Sequence, residues 1–547
     1  MAQFRTPSQN ATYQAQRPFP STQLLSLPPE LLLRILTFLP ARDITKCVKL
    51  CRCLWSLFRN SSTLKYIQEC DLSGVEDNPD NLLSHAEKLR MLRNREYSWA
   101  NCRPDFSKMA PAVDFSLGYS YDLAGHNGVY TMGVSTRDKL KYFRLPSKPD
   151  DVMEWLTFEP KAEWTEHKDI VDYRISLHEH DLIALLTTKH AEAPGMVEVE
   201  LSLHQFSTGK YHPLAARPLI PLTRGEVSWG PPAIACEVSG QYLVLTLNFW
   251  FNPLWRSSVW VFQWTTGQQL LYIEGEPESH EGVAFLNEDH ILIPNPLSNT
   301  IEIWKIPQLG DDPSTSPVQV LGLPSLEGGH IFDHISCRSE PNPTLSGSTF
   351  NPDKPFHVSS KNSIIILHLI IDTDDGACVT IIVHRSSLLE LAQRQEELSV
   401  LYPTPIPWEA WGPSKTCCVD NGDVPWITIS CGQRVVILPS GTPEAPIPLR
   451  VYDFGKVSVK KVEKELEKLN EEEKLAYNGP VVKRKTVLSD ATVKYFQGPI
   501  TSCLPYVESR TEKLYDISGA MMDEERIIAI KTDAEDNITS MEILHFG

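Results

Sequence analysis

The sequence lacks the short motifs that usually mark catalytic or metal sites. It contains no Gly-x-Ser-x-Gly segment, no Gly-x-x-x-x-Gly-Lys-[Ser/Thr] segment and no His-Glu-x-x-His segment. His178-Glu179-His180 lies in a polar loop before a strand pattern, and we interpret it as a solvated turn. The 12 cysteines are scattered and form no Cys-x-x-Cys pair. We therefore expect no catalytic residues, no metal and no cofactor, and thiols buried in a reducing compartment.

Long hydrophobic runs are missing as well. No run approaches the ~18 apolar residues that a membrane-spanning helix needs, and residues 1–20 are polar, without the apolar core of a signal peptide. The sequence predicts a soluble protein of the cytoplasm, the nucleus or both, with no membrane partner.

Positive charge is scarce, and it is unevenly distributed. The chain has 51 Lys and Arg against 69 Asp and Glu, a net charge of −18. Residues 1–110 contain 15 basic and 10 acidic side chains, which leaves 36 and 59 for the remainder, a charge of −23. An acidic body repels phosphate backbones, so nucleic acid is not an expected partner.

A helical pattern near the N-terminus organises the rest of the chain. Pro28 and Pro29 suit a helix start, because a proline there lacks only an N–H group that has no partner in the helix. Apolar residues then recur at the spacing of one helical face: Leu31, Leu32, Ile35, Leu36 and Leu39. Pro40 ends this helix, and Asp43 is placed to cap a second helix that continues to Phe58.

The second helix has more apolar surface than a small hairpin can bury. One stripe consists of Ile44, Cys47, Val48, Cys51, Leu54, Trp55 and Phe58, and Leu50, Cys53 and Leu57 lie beside it. A unit of roughly 40 residues cannot bury both in its own core. We expect the rest of the chain or another protein to cover the surplus; the alternative is an ordinary helical hairpin packed on its own domain.

This order of residues resembles the F-box, the adaptor-binding module of cullin-type ubiquitin ligases. The matching elements within residues 24–65 are Leu27-Pro28, Glu30, Ile35-Leu36, Leu39-Pro40, Asp43 and Leu50-Cys51-Arg52. The chain departs from the family pattern at Leu54, where an aromatic residue is usual, and Trp55 follows one residue late.

The resemblance implies that the hairpin docks on the small helical adaptor of such ligases. The expected contacts are Leu27, Pro28, Leu31, Ile35, Leu36, Leu39, Leu50 and Leu54. Some of these side chains must instead pack the core of the hairpin itself.

From about residue 112 the pattern changes to short strand-like runs separated by Gly, Pro, Asn and Asp. The clearest hairpin joins residues 364–371 to residues 378–384 through a turn that contains Asp375-Gly376. Residues 204–209, 258–267 and 301–305 resemble parts of WD-type blades. The sequence predicts a large all-β domain, a degenerate WD-like β-propeller of six to eight blades. An irregular β-sandwich is the alternative.

The predicted organisation has four parts. Residues 1–22 form a disordered tail, 23–66 the F-box module, 67–111 linker helices, and 112–547 the propeller-like domain with a helical insertion at 457–485. This arrangement is similar to the expanded F-box families of mushroom-forming fungi.

The resemblance implies a non-catalytic subunit that recruits an unidentified protein substrate to a cullin-type ligase. Since the large domain is acidic, we expect basic or neutral substrate segments rather than phosphorylated ones. Two alternatives stay open: a scaffold that binds the adaptor without a ligase role, and a propeller enzyme or ligand-binding domain that uses the F-box as an address tag.

Overall fold

The computed structural model describes residues 24–547 except 112–120, 125–127, 162–167, 192, 231, 250–251, 253, 311–315, 344–351, 375, 399–403, 422–428, 439–444 and 535–536. The chain forms two compact units, Met1–Glu69 and Cys70–Gly547. We call residues 24–69 the helical unit and residues 70–547 the propeller unit. The predicted tail, residues 1–22, lies outside the described residues.

Short helices build the helical unit: α1 (Pro29–Thr37), α2 (Ala41–Val48), α3 (Arg52–Asn60) and the start of α4 (Ser62–Ser73). The predicted start of α1 is confirmed, since Pro28 is its N-cap residue and Pro29 its first residue. The predicted cap of the next helix is wrong. Pro40 precedes the first residue of α2, and Asp43 lies in its first turn, paired with Lys46 at 2.8 Å.

The single second helix predicted up to Phe58 is also wrong, because the chain breaks between α2 and α3. Cys51 is extended there (φ −156°, ψ 161°) and restarts the helix. The break turns the two apolar stripes toward one core, where Ile44 of α2 meets Leu54 of α3, Leu36 of α1 and Leu64 of α4. A straight helix cannot direct both stripes at the same neighbours, so packing overrides the helical propensity of Lys49 and Leu50.

The propeller unit begins with three elements that precede the blades: β1 (Val75–Asp77), α5 (His85–Ala100) and β2 (Phe106–Met109). A capping box at Ser84 and Glu87 fixes the start of α5.

Seven antiparallel sheets of the described residues, six with four strands and one with five, are the blades of a β-propeller. Blade 1 contains β3 (Tyr121–Ala124), β4 (Val129–Gly133), β5 (Leu140–Arg144) and β6 (Leu156–Phe158). Blade 2 contains β7 (Lys168–Ser176), β8 (Leu182–His190), β9 (Met196–Gln205) and β10 (Leu219–Glu226). Blade 3 contains β11 (Ala233–Ser239), β12 (Tyr242–Asn248), β13 (Ser258–Gln263) and β14 (Gln268–Glu274). Blade 4 contains β15 (Ala284–Phe285), β16 (His290–Asn295), β17 (Thr300–Lys305) and β18 (Gln319–Gly322).

The later blades have insertions. Blade 5 contains β19 (Phe332–Arg338), β21 (Ile364–Ile371), β22 (Cys378–His384) and β23 (Thr416–Asn421), while β20 (Phe356–Val358) pairs with β1 instead. Blade 6 contains β24 (Ser430–Cys431), β25 (Arg434–Ile437), β26 (Ile447–Asp453) and β30 (Tyr506–Tyr515), with β27 (Val481–Lys483) added outside β30. Between β27 and β30 the chain forms a short pair of strands, β28 (Thr486–Val487) and β29 (Thr501–Ser502).

Blade 7 closes the ring with strands from both ends of the unit. It contains β31 (Gly519–Met522), β32 (Arg526–Thr532) and β33 (Ile538–His545), and β2 adds the outer strand by pairing Phe106 with His545. The sequence places residues 67–111 in a linker, whereas the structure incorporates β1, α5 and β2 into the propeller unit. Trp99 of α5 stacks on Phe546 with 4.1 Å between ring centroids.

The remaining helices are insertions between strands: α6 (Leu177–His180), α7 (Arg385–Leu398), α8 (Trp408–Lys415), α9 (Lys456–Leu466), α10 (Glu471–Ala476) and α11 (Asp490–Val493). The predicted insertion at 457–485 therefore contains two helices and β27.

Apolar clusters fill the spaces between successive blades and explain why the sheets form a ring. Leu186 of blade 2 shares a cluster with Leu245 of blade 3, and Tyr130 of blade 1 shares one with Ile543 of blade 7. Strands such as β12 and β22 are buried along their whole length, because each blade is covered on both faces. The irregular β-sandwich is thereby excluded.

The predicted hairpin is confirmed as β21 and β22, which pair from Ile364–His384 to Ile370–Cys378. Gly376 in its turn has φ +58°, as the Asp-Gly pattern requires, and Asp375 lies outside the described residues.

Loops on one side of the propeller unit join neighbouring blades and join the second to the third strand of each blade. For blades 3 to 5 these loops are residues 227–232, 249–257, 275–283, 296–299, 323–331 and 372–377. We call them the inter-blade face of blades 3–5. The first-to-second and third-to-fourth strand loops lie on the opposite face.

Candidate functional site: an exposed apolar surface on the helical unit

Helix α1 has one buried and one exposed apolar stripe. Leu32 and Leu36 are buried, and Leu36 packs in the core of the helical unit. Leu31, Ile35 and Phe38 follow one another at helical spacing on the exposed side, and Phe38 is 77% exposed. An exposed stripe of this size on a helix is typical of a surface that binds another protein.

The segment between α2 and α3 extends this apolar exposure. Leu50 is 76% exposed at the break between the helices, and Trp55 of α3 is half exposed. Arg59 lies over the Trp55 ring at 5.2 Å from its centroid, which holds the indole in place.

The structure divides the eight predicted contact residues into three groups. Pro28, Leu31, Ile35 and Leu50 are exposed, Leu27 and Leu39 are half-buried, and Leu36 and Leu54 belong to the core. The last two therefore support the surface from beneath, as the sequence requires of part of this set. Adaptor contact itself stays a prediction.

Four exposed apolar residues of the helical unit are not among the eight predicted contact residues. They are Leu24, Leu25, Phe38 and Trp55. Phe38 follows Leu31 by seven positions, so its place on the exposed stripe was detectable from helical spacing. Trp55 was not, because the break before Arg52 changes the direction in which its side chain points.

The helical unit that carries this surface is basic. Residues 24–69 contain seven Lys and Arg and three Asp and Glu. The apolar surface therefore lies in a positive field, which favours an acidic partner.

No group of three or more His, Cys, Asp and Glu among the described residues is placed to hold a metal ion. The interpretation of His178-Glu179-His180 as a solvated turn needs correction. The Glu179 carboxylate is partly buried and accepts a hydrogen bond from the Gly240 N–H at 3.1 Å, and the His180 ring packs against Trp264. These two residues join blades 2 and 3, while the His178 side chain lies outside the described residues.

A buried cluster of charges lies at the axis of the propeller unit. Arg174 of β7 contacts Glu237 of β11 at 2.9 Å and Glu340, after β19, at 2.7 Å, and Arg338 contacts both carboxylates. Burial raises the pKa of Glu237 above its ordinary value, and the two guanidinium groups oppose that shift. Each charge has an opposite partner, which is typical of a structural network rather than a reactive one.

No described helix has the length and the apolar character needed to cross a membrane.

Comparison with known proteins identifies the helical unit. Residues 24–65 match the F-box domain family. No curated protein matches the chain in sequence.

Several solved structures are similar to this chain at low sequence identity. The WD40 domain of coronin from Toxoplasma gondii is 9% identical, with a TM-score of 0.37 over 81% of this chain and 86% of that one. Sqt1 of Chaetomium thermophilum, bound to the N-terminus of ribosomal protein L10, is 12% identical, with a TM-score of 0.27 over 70% and 81%. Hsv2 of Kluyveromyces marxianus is 10% identical, with a TM-score of 0.27 over 61% and 92%. These likenesses indicate neither a ligand nor a function for this chain, and a fungal origin is not shown.

Proposed function

We propose, on the premise that residues 24–65 are an F-box domain, that this protein is the substrate receptor of a cullin-type ubiquitin ligase. The F-box domain docks on the small helical adaptor of the ligase, and the seven-bladed propeller holds the protein to be ubiquitinated. The observation that carries the proposal is the exposed apolar stripe Leu31, Ile35 and Phe38, set in a basic domain.

The proposed mechanism is proximity. F-box proteins are in general non-catalytic adaptor subunits. Holding a substrate lysine close to the ubiquitin-loaded enzyme turns a bimolecular encounter into an effectively intramolecular one. The receptor then contributes binding and orientation, and the conjugating enzyme supplies the bond chemistry.

The apolar stripe supplies affinity and the basic residues supply selectivity. Covering a large apolar side chain contributes about 1.5–3 kcal/mol, so Phe38 and Ile35 are expected to be the strongest contacts. Arg34, Arg42 and Lys49 of the same unit are exposed, and their charge is expected to speed association with an acidic surface.

The test is binding of the full chain to purified adaptor, measured by calorimetry. Ile35→Asp and Phe38→Asp each place a charge on a surface that loses its water in the complex, so we expect at least 100-fold weaker binding from either change. Leu309→Asp is the control, because Leu309 is an exposed apolar residue of the propeller unit, and this variant is expected to bind as the unchanged chain does.

Circular dichroism distinguishes lost contacts from lost folding. Both α1 variants are expected to keep the helical signal, whereas Leu36→Asp, which changes a core residue, reduces it. Adaptor binding that survives both α1 changes would overturn the proposal. Adaptor binding without recruitment of the cullin would favour the scaffold alternative.

A further inference from the structure

The inter-blade face of blades 3–5 displays apolar side chains in four of its loops. Val227, Leu254, Leu297 and Ile331 are all exposed, and Leu254 is 85% exposed. They belong to the connection between blades 2 and 3, the inner loops of blades 3 and 4, and the connection between blades 4 and 5. These loops follow one another around the ring, so the four side chains form an apolar arc along one face.

Local hydrogen bonds hold two of these side chains outward. Asn252 Oδ1 accepts from the Leu254 N–H at 3.0 Å, and the Trp255 indole donates to the Leu247 carbonyl at 3.3 Å. Leu297 lies in a turn closed by the Asn299 N–H, which donates to the Pro296 carbonyl at 3.2 Å. These bonds restrict the local backbone at Leu254 and Leu297, which lowers the entropic cost of binding at these two positions.

An aromatic cluster supports the arc at blade 3. Trp255 packs edge-on against Phe249 at 4.9 Å between centroids, and Trp229 contacts both rings at 5.3 and 5.8 Å. Trp229 and Trp255 are only partly buried, so their edges add to the apolar surface beside Leu254. Aromatic side chains of this kind are enriched at the centres of protein interfaces.

The same six loops are acidic. Their sequence contains seven Asp and Glu and one Arg or Lys, Arg256, which is paired with Glu274 at 2.6 Å and Glu276 at 3.2 Å. Glu278, Glu327, Asp372 and Asp374 are exposed carboxylates with no Lys or Arg partner among the described residues. Outside the loops, Lys494 lies over the Tyr495 ring, whose other neighbour is His330. Arg256 and Lys494 together are outnumbered by the acidic residues of the loops, so the net charge of this surface is negative.

We propose that the inter-blade face of blades 3–5 is the substrate-binding surface, and that it binds a short segment in which Lys or Arg alternates with large apolar residues. The apolar arc binds the large apolar side chains of this segment, and the exposed carboxylates of the loops bind its Lys and Arg side chains. Acidic and phosphorylated segments are repelled. This assignment rests on the proposed function and names the substrate class of the same receptor.

The experiment is selection from a displayed library of random 12-residue peptides on the immobilised full chain, with Leu254→Asp/Leu297→Asp as counter-selection. We expect enriched peptides to contain two or more Lys or Arg together with Leu, Ile or Phe. A selected peptide, measured by fluorescence polarisation, is expected to bind the double variant at least tenfold more weakly. Glu327→Lys/Asp372→Lys, which reverses the local field, is expected to have a similar effect.

The matched control carries the same change on the opposite face. Leu214→Asp/Leu309→Asp alters two equally exposed leucines in third-to-fourth strand loops of blades 2 and 4, and it should leave peptide affinity within twofold. No enrichment, enrichment of acidic or uncharged peptides, or equal binding to both double variants would overturn the assignment. Adaptor binding is measured separately, so loss of peptide binding with adaptor binding intact removes this assignment alone. Peptide binding without adaptor binding removes the ligase role and leaves a peptide-binding propeller.

Discussion

Three histidines are buried in blades 2 and 5. His204 shares hydrogen bonds with Ser202 Oγ at 2.7 Å and the Gly209 carbonyl at 3.1 Å, and His368 shares one with Thr380 Oγ1 at 2.8 Å. Burial lowers the pKa of His204, His368 and His384 to about 4. These imidazoles are therefore neutral in the folded chain at pH values where an exposed histidine takes up a proton.

Proton linkage makes the propeller unit sensitive to mild acid. Below pH ~6.5 these histidines bind protons in the unfolded chain but not in the folded chain. The free energy of unfolding is therefore full above that pH and decreases as the pH falls toward 4. Each of the three buried histidines is expected to lower the free energy of unfolding by about 1.4 kcal/mol at pH 5.5. His334 acts in the opposite direction, because Glu281 at 2.6 Å outweighs burial and raises its pKa.

Urea unfolding of the full chain at pH 7.5 and 5.5 measures the effect. His204→Gln and His368→Gln are each expected to reduce the loss of unfolding free energy between the two pH values by about 1.4 kcal/mol. His330→Gln, an exposed position, is the control and keeps the full loss. An unchanged pH dependence in the two buried variants would contradict the linkage.

Some residue roles were not visible in the sequence because another residue type fills the expected position. In blade 4 Glu302 accepts hydrogen bonds from the Trp304 indole at 2.8 Å and the Asn295 amide at 2.8 Å, and His280 lies 3.3 Å away. The WD pattern predicts an acidic residue directly after Trp304, but that residue is Lys305, and the carboxylate comes from Glu302 instead. The Thr-Gly turns were detectable, since Gly209 and Gly267 both have positive φ, near +70°. Backbone conformation is a stronger sequence signal than a hydrogen-bond partner that can come from several positions.

Helix α5 looks like a connector in the sequence because it is rich in charged residues. The structure buries several of those charges. Lys88 is buried and contacts Asp77 at 2.8 Å, and Arg95, also buried, contacts Glu96 at 3.1 Å. A charged side chain is expected to be exposed only where the fold offers it no oppositely charged partner. Some partners of α5 lie far away in the sequence, such as Arg434 of blade 6, which pairs with Glu96. No pattern within α5 reveals them.

Trp99 provides the test of whether α5 is part of the propeller unit. Trp99→Ala removes the stack on Phe546 from a buried site, and we expect it to lower the unfolding free energy by about 3–5 kcal/mol. Tyr97→Ala changes an exposed aromatic residue of the same helix and is expected to cost less than about 0.5 kcal/mol. Equal effects, measured by urea unfolding, would show α5 to be a peripheral connector.

The number of blades was not readable from the sequence, although the β-propeller was. Twenty-five residues separate the first two strands of blade 5, and thirty-one separate its last two. Blade 6 is interrupted by α9 and α10, so no fixed period survives. The outer strand of blade 7, β2, precedes the first residue assigned to the domain. The insertions in blades 5 and 6 and the pairing of β2 with β33 depend on contacts between residues far apart in the sequence. Short-range patterns of residues therefore do not reveal them.

The axial charge cluster joins blades 2, 3 and 5, of which only blades 2 and 3 are neighbours in the ring. Arg174→Met leaves buried Glu237 and Glu340 with fewer positive neighbours, and we expect a loss of about 3–5 kcal/mol in unfolding free energy. Arg224→Met, in the same blade, breaks an exposed pair with Glu198 at 2.7 Å and is expected to cost less than about 1 kcal/mol. Guanidinium chloride unfolding compares the two, and a similar small cost for both would contradict a structural role for the cluster.

The pairing of β2 with β33 also has a consequence for how this protein is made. The two strands are about 430 residues apart in the chain, and at 5–20 residues per second a ribosome needs roughly 20–90 s to make that length. During that time β2 has no partner strand, and the Tyr130 side of blade 1 has no Ile543 to cover it. Nascent chains are thus open rings with an apolar edge, and they need chaperone protection until the last blade emerges. Expression level is then limited by ring closure during synthesis as well as by the stability of the finished fold.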